Sequence, residues 1–259
     1  MISWRFLPLE TRNGYWNMAI DEAILKAVIE KKVPHTLRFY KWKPSTVSIG
    51  RNQSISTEVD RKTAEKKGFN IVRRITGGGA VFHDEFREIT YSLVCPIKFL
   101  ENLGAIKVLD HFEIITQSII AGLRIFGLEP QKGIIHCPAL LLDGKKFSGN
   151  AQTRRKNYLL QHGTILLDIN PELMYSVLTP PENVTKTKMV QSVRAKCVGI
   201  KKYFENYEEN KFIKSLLRGF EQSLKINTIK GKLTEFEIET AKKLMQEKYE
   251  RREWLYKYP

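Results

Sequence analysis

Residues 73–84 read RRITGGGAVFHD, and no stretch of the chain restricts the fold more than its three adjacent glycines. Glycine loses more backbone freedom on folding than any other residue, so a triplet is a poor choice inside a regular element and marks an irregular segment. Before it, FNIVRRI is rich in β-branched residues; after it, EITYSLVCPI alternates. The pattern predicts a strand on either side. The glycines do not fit G-x-G-x-x-G, and a β-like run follows them where a dinucleotide-binding unit needs a helix, which argues against a Rossmann fold.

The remaining periodicities are mixed. WNMAIDEAILKAVIE sets Met18, Ile20, Ala23, Ile24 and Ala27 at helical spacing. Leu37–Tyr40 and Thr46–Ile49 read as paired strands separated by Lys43-Pro44. DRKTAEKKGFN predicts a charged helix stopped at Gly68, and VLDHFEIITQSIIAGLRIFGL a long one stopped at Gly127. PALLLDGKKFSGNAQTRR reads as a hairpin turning at Asp143-Gly144, and YLLQHGTILLD as another strand. From Pro171 the pattern is helical in PELMYSVL, NKFIKSLLRGFEQSL and LTEFEIETAKKLMQEKYERREW. Without repeats or long linkers, this predicts one α+β domain over residues 1–259. Its mixed or antiparallel sheet is flanked by helices, and a helical C-terminal segment covers residues 205–259.

With 42% hydrophobic residues the chain can bury a sizeable core. No window has the roughly 20 apolar residues of a membrane span, and the first residues lack a signal-peptide pattern, so the cytoplasm is expected. Cys95, Cys137 and Cys197 are odd in number and widely spaced, against both a disulfide framework and a zinc site; no side chain is marked as a metal ligand. Lys plus Arg number 43 against 28 for Asp plus Glu, a net charge of +15. That balance suits an acidic partner or a merely solvated surface. Nucleic acid is a poor fit, because the aromatic residues sit in apolar-periodic segments and are not interleaved with the cations.

Four places carry possible chemistry. Consecutive glycines let backbone N–H groups converge on an anion, with Arg73 and Arg74 adding charge; a hairpin turn with solvated arginines is the other reading. In GKKFSGNAQTRR, strand alternation allows one lysine of Lys145-Lys146 to point inward, or both to be solvated. His162 precedes a glycine in an apolar strand, and His83-Asp84 follows the glycine triplet. Cys137 is the one cysteine near other chemistry, either a buried inert thiol or a nucleophile.

These blocks, taken in order, resemble the lipoate-protein ligase and octanoyltransferase family, whose catalytic domain is related to that of biotin-protein ligase. WNMAIDEAI, LRFYKWKPSTVSIGRNQ, RRITGGGAVFHDEFREITYS, GKKFSGNAQTRR, LLQHGTILLD, SVRAKCVGI and EKYERREW carry the resemblance over nearly the whole chain. It implies attachment of a lipoyl group to one lysine of a lipoyl domain, through lipoyl-AMP made from lipoic acid and ATP with Mg2+. On this resemblance Gly77, Gly78 and Gly79, with Ala80, pack against the acyl chain and adenylate. Arg73, with Arg74 beside it, holds the phosphate, and Lys146 bridges carboxylate and α-phosphate. His83, Asp84, Ser148, Gly149, Asn150, His162 and Gly163 line the pocket. Val72, Ile75, Val81 and Leu160 wall an acyl tunnel.

The partners implied are acidic lipoyl domains, those of 2-oxoacid dehydrogenase E2 subunits and the glycine-cleavage H protein. The chain resembles the shorter form of the ligase, without a C-terminal accessory domain, which in some members needs a separate accessory protein. The main expectation is therefore the catalytic subunit of an ATP-dependent ligase. The alternative is a cysteine-dependent octanoyl- or lipoyl-transferase that takes its acyl group from a carrier as a thioester, with Cys137 as nucleophile. Biotin ligation is the weaker relative of both.

Overall fold

Along Glu88–Cys95 the odd-numbered residues are apolar and the even-numbered ones polar as far as Ser92, yet all are buried. A strand of that kind needs an apolar layer on one face and a polar, internally satisfied layer on the other. Both are found in the computed structural model, which describes residues 2–133 and 139–258. Its strands are β1 (Ile2–Arg12), β2 (Thr36–Trp42), β3 (Thr46–Ile49), β4 (Asn70–Arg73), β5 (Val81–His83) and β6 (Glu88–Pro96), followed by β7 (Gln131–Lys132), β8 (Leu140–Leu142), β9 (Lys145–Arg155), β10 (Tyr158–Leu166) and β11 (Ile226–Lys230). Eight form a mixed sheet in the order β11-β1-β2-β6-β10-β9-β8-β7, and three form a small sheet, β4-β3-β5.

One face of the large sheet packs Ile89, Tyr91 and Leu93 against Ile115, Ile119 and Phe220, from the helices Val108–Ile125 and Glu209–Leu224. On the opposite face Tyr40, Val94 and Leu160 meet Met18, Ile20 and Ile24 of the helix Gly14–Ile29. That helix starts where Asn13 accepts a hydrogen bond from the Trp16 N–H, an ordinary N-cap. The small sheet has its own core of Val47, Ile49, Ile71 and Phe82, closed by Val177 and Leu178 at the end of the helix Pro171–Val177.

Helices are found at 14–29, 61–66 and 108–125, close to the expected segments. The β8–β9 hairpin turns at Asp143 (φ 48°) and Gly144 (φ 71°), the two positive angles that a two-residue turn of this hand requires. β2 and β3 are both strands but are not paired: β2 lies between β1 and β6, whereas β3 lies between β4 and β5. Every residue of β3 is buried, and a strand covered on both faces takes a central place in its own sheet.

Three elements go beyond the sequence reading. β1 contains Pro8, which sits where the register with β2 shifts between Leu7 and Glu10, an irregularity that tolerates a missing N–H. β11 interrupts the expected C-terminal helices and pairs in parallel with β1, so the first and last strands are neighbours at one end of the large sheet. Nearby, Arg5 donates to both carboxylate oxygens of fully buried Glu237, at 2.7 and 2.5 Å. The helix Lys186–Lys196 has no fully buried side chain, and its apolar stripe is only the half-buried Met189, Val190 and Val193, too short to mark a helix in the sequence.

Candidate active site

Asp21, on the helix Gly14–Ile29, is 1% exposed and organises the polar face of the large sheet. Arg38, Ser92 and His162 lie side by side across β2, β6 and β10, in register with one another. All three bond to the Asp21 carboxylate, Arg38 at 2.9 Å, Ser92 at 2.9 Å and His162 Nδ1 at 3.1 Å, while the Tyr40 hydroxyl donates to it at 2.9 Å. Burial would push the Asp21 carboxyl up, but the hydrogen bond from His162, the Arg38 charge and the Ser92 hydroxyl together hold it below its ordinary value. For His162 burial is the dominant effect and lowers its pKa despite Asp21. A neutral ring therefore donates from Nδ1 and accepts at Nε2, where the Thr76 hydroxyl lies 2.7 Å away.

Thr76 is the link to the glycine loop. Its Oγ1 accepts from Arg74 Nε at 3.1 Å, so an ordered chain runs from Arg74 through Thr76 and His162 to Asp21. Arg74 Nη1 donates to the Ser48 carbonyl (3.0 Å) and hydroxyl (3.1 Å), and Nη2 to the carbonyls of Gly77 (2.7 Å) and Gly79 (2.8 Å). All its donors are engaged, and burial lowers its pKa to about 10, still cationic at neutral pH. The triplet is thus turned with carbonyls toward Arg74. Gly78 alone requires glycine: its φ is +92° and a Cβ there would stand 3.1 Å from Arg74 Nη2. At Gly77 and Gly79 an added Cβ meets nothing within 4 Å.

Arg73 does not join the pocket. Fully buried, it donates to the carbonyls of Gly50, Arg51 and Gln53 and, at the other end of the chain, of Trp254, Leu255 and Tyr258. Trp254 Nε1 returns a bond to the Arg73 carbonyl at 2.8 Å. The residue expected to hold a phosphate therefore ties the C-terminal segment to the root of the loop.

Between the polar face of the large sheet, the small sheet and the helix Pro171–Val177 lies a cavity of about 320 Å³. It brings together Arg74, Gly78, Gly79, Ala80, Val81, His83, Lys146, Ser148, Gly149, Asn150, His162 and Gly163 of the sequence-derived set. Gly77 and Asp84 are not in its lining. Both Asp84 oxygens are used in the turn before β6, accepting from the Phe86 N–H and from Arg87 at 2.9 Å each. Of the four residues expected to wall an acyl tunnel only Val81 is present; Val72 and Leu160 are fully buried beneath the helix Gly14–Ile29, with Ile75 packed beside them. Cys137 lies outside the described residues.

On β9, alternation turns Lys146, Ser148 and Asn150 toward the cavity and Phe147 into the core. Lys146 rests on Gly149: a Cβ added there would lie 3.3 Å from both Cε and Nζ. Its ammonium has no hydrogen-bond or ion-pair partner among the described residues, and neither does the buried Ser148 hydroxyl. Asn150 Oδ1 accepts from the Tyr91 hydroxyl at 2.6 Å, itself bonded by Gln161 at 2.6 Å. His83 stacks on Trp42 with ring centroids 3.9 Å apart and shares hydrogen bonds with Glu88 (2.7 Å) and Ser48 (2.8 Å).

Lining residues that sequence reading missed include Met18, Tyr40, Trp42, Met174, Tyr175, Leu178 and Cys197. Most are apolar residues indistinguishable in the sequence from core. Cys197 is half-buried, pairs its backbone with Lys146 and is raised in pKa by burial, with Lys146 and Lys196 acting the other way. The other described free thiol, Cys95, is buried in the core, where its pKa is also raised. The described lining contains no Asp or Glu, so it presents no carboxylate to Mg2+. No described helix is long and apolar enough to cross a membrane.

Residues 13–221 match the lipoyl protein ligase A/B catalytic domain. Proteins named octanoyltransferase LipM from Anoxybacillus flavithermus and Bacillus subtilis are 34% and 32% identical, each alignment covering 98% of both chains. Among solved structures, a bi-partite lipoate protein ligase from Thermoplasma acidophilum is 27% identical with a TM-score of 0.84, over 98% of this chain and 96% of that one. A lipoate-protein ligase A bound with ATP is also 27% identical with a TM-score of 0.84, over 98% of each chain. Matched by the family model over most of its length and by relatives at up to 34% identity across nearly all of it, the chain belongs to the lipoyl protein ligase A/B catalytic-domain family.

Proposed function

We propose that this chain is an octanoyl- or lipoyl-transferase that moves an acyl group from a carrier-bound thioester to a lysine of a lipoyl-domain protein. The distribution of cations carries this reading. ATP-dependent activation needs free donors on the phosphates, but Arg73 and Arg74 are fully engaged with their own chain. Lys146 is the one described cation of the lining with its ammonium unpartnered. A single ammonium suits a thioester carbonyl, where one oxyanion develops, better than a nucleoside triphosphate. Support also comes from relatives that carry the octanoyltransferase name over their whole length.

On this reading the acyl chain lies against Val81, Met174 and Leu178, and its carbonyl carbon stands by Lys146 and Ser148. The Cys137 thiolate attacks that carbon; its C–S bond forms as the donor C–S bond breaks, and the carrier leaves as a thiol after taking up the proton. The ε-amine of the acceptor lysine then attacks the acyl-cysteine, an amide forms, and the amine's proton passes to the departing thiolate. Lys146 stabilises the oxyanion in both halves. Asp21 and His162 position the glycine loop through Thr76 and touch no reacting atom.

The solved relative that binds ATP favours a second reading, ATP-dependent ligation of free lipoate. One assay separates the two. The enzyme is given a lipoyl domain with either an octanoyl-carrier thioester or lipoate plus Mg-ATP, and the domain is weighed by mass spectrometry. The transferase reading expects modification from the thioester without ATP, loss of it in Cys137→Ala, and an octanoyl-enzyme adduct. Modification only with ATP, unaffected by Cys137→Ala, overturns it.

A further inference from the structure

Between residues 186 and 202 the sequence KTKMVQSVRAKCVGIKK contains six cations and no acid. The structure makes its first eleven residues the helix Lys186–Lys196, which buries no side chain and so contributes little to the core. It packs beside the helix Pro171–Val177 and β9, both of which line the cavity, and its C-cap is Cys197, a lining residue. Next along the chain, the Val198 N–H donates to the Lys146 carbonyl at 3.0 Å. This charge stands at the edge of the site and is only partly neutralised: Lys186 pairs with Asp60 at 3.6 Å and Arg194 with Glu172, whereas Lys188 and Lys196 have no acidic partner among the described residues.

We propose that the helix Lys186–Lys196 is the docking surface for the acyl donor, an acidic carrier protein that holds its acyl group as a thioester on a phosphodiester-linked arm. The inference rests on the transferase reading above. Charge complementarity argues for an acidic partner, since exposed like charges held on one helix repel one another until an opposite surface meets them. The identity of the two substrates argues for the donor over the acceptor. An acceptor domain must bring a lysine side chain to the cavity, and a row of cations at the edge repels an ammonium. The donor brings a phosphodiester between its protein surface and the thioester, an anion that those cations attract.

The test uses the full chain and the double variant Lys188→Glu/Lys196→Glu, with octanoyl-carrier protein or S-octanoyl-pantetheine as donor. The second donor lacks both the carrier and the phosphate. For the variant, KM for octanoyl-carrier protein is expected to rise about tenfold with kcat within about twofold. Turnover of S-octanoyl-pantetheine and KM for the lipoyl domain stay at wild-type values. Raising the salt concentration should erase most of the difference, because it screens the wild-type attraction.

Equal loss with both donors overturns the proposal, because it makes the helix a support for the cavity; so does a rise in KM for the lipoyl domain alone, which makes this the acceptor's face. If wild type uses neither thioester, the transferase reading fails and the inference fails with it. If wild type uses both and the variant behaves like wild type, the docking surface alone is refuted.

Discussion

On the glycine-loop wall of the cavity Arg74 donates to five acceptors of its own chain, whereas on the β9 wall Lys146 and Ser148, two residues apart, donate to none among the described residues. The first has used its polarity to hold a glycine segment in one shape; the second keeps its polarity for something outside the chain. A buried hydroxyl without a partner is costly enough that proteins rarely keep one without reason. The comparison therefore separates groups that build the site from groups that meet the substrate.

The sharpest way to break this distinction is Lys146→Ala. If the β9 wall acts on substrate, acyl transfer falls about 100- to 10,000-fold while the melting temperature stays within about 2 °C. Near-normal turnover would show that the unpartnered ammonium is idle. Arg74→Lys tests the opposite wall. A point charge cannot replace a five-donor fork, so urea unfolding should register a loss of about 2 kcal/mol, and hydrogen exchange should rise through residues 76–80. Unchanged stability would mean that the loop is held by something else.

A third test concerns pH. The Asp21 carboxyl is held below its ordinary value in the folded state, so its contribution to stability is full above the ordinary carboxylate range and is lost as pH falls through the folded pKa. At neutral pH Asp21→Asn should be less stable than wild type by about 2 kcal/mol, and the gap should narrow as pH drops below about 4. A gap that is constant or widens in acid would contradict the network around Asp21. The smallest effects distinguish members of the glycine triplet. Gly78→Val should cost about 1–2 kcal/mol, for its positive φ and the approach to Arg74, and Gly77→Ala less than about 0.5 kcal/mol. Equal costs in chemical denaturation would remove the distinction between the two positions.

What can be read from the chain follows the same division. Alternation after the Asp-Gly turn allows one lysine of the Lys145-Lys146 pair to point inward, but Lys146 and His162 are singled out by the resemblance and not by their own spacing. Arg73 and Arg74 are alike in sequence, and nothing local tells which guanidinium reaches the cavity. One lies under carbonyls from residues 254–258, almost two hundred positions away. Asp21 shows the same limit from the other side. Its helix is evident from spacing, but its meeting with Arg38, Ser92 and His162 depends on the register of three strands. The proposal of a transferase over an ATP-dependent ligase turns on the same contacts: two arginines beside glycines look like a phosphate site until their acceptors are known.

The pairing of β1 with β11, together with the grip of Arg73 on Trp254, Leu255 and Tyr258, has a consequence for synthesis on the ribosome. A chain emerging N-terminus first can pair β1 with β2 and hold Arg73 against residues 50–53 long before β11 and residues 254–258 exist. The edge strand waits for residue 226 and the loop's anchor for residue 258. The outer flank of β1 and the far half of the Arg73 anchor are thus completed only when the last thirty-odd residues have emerged.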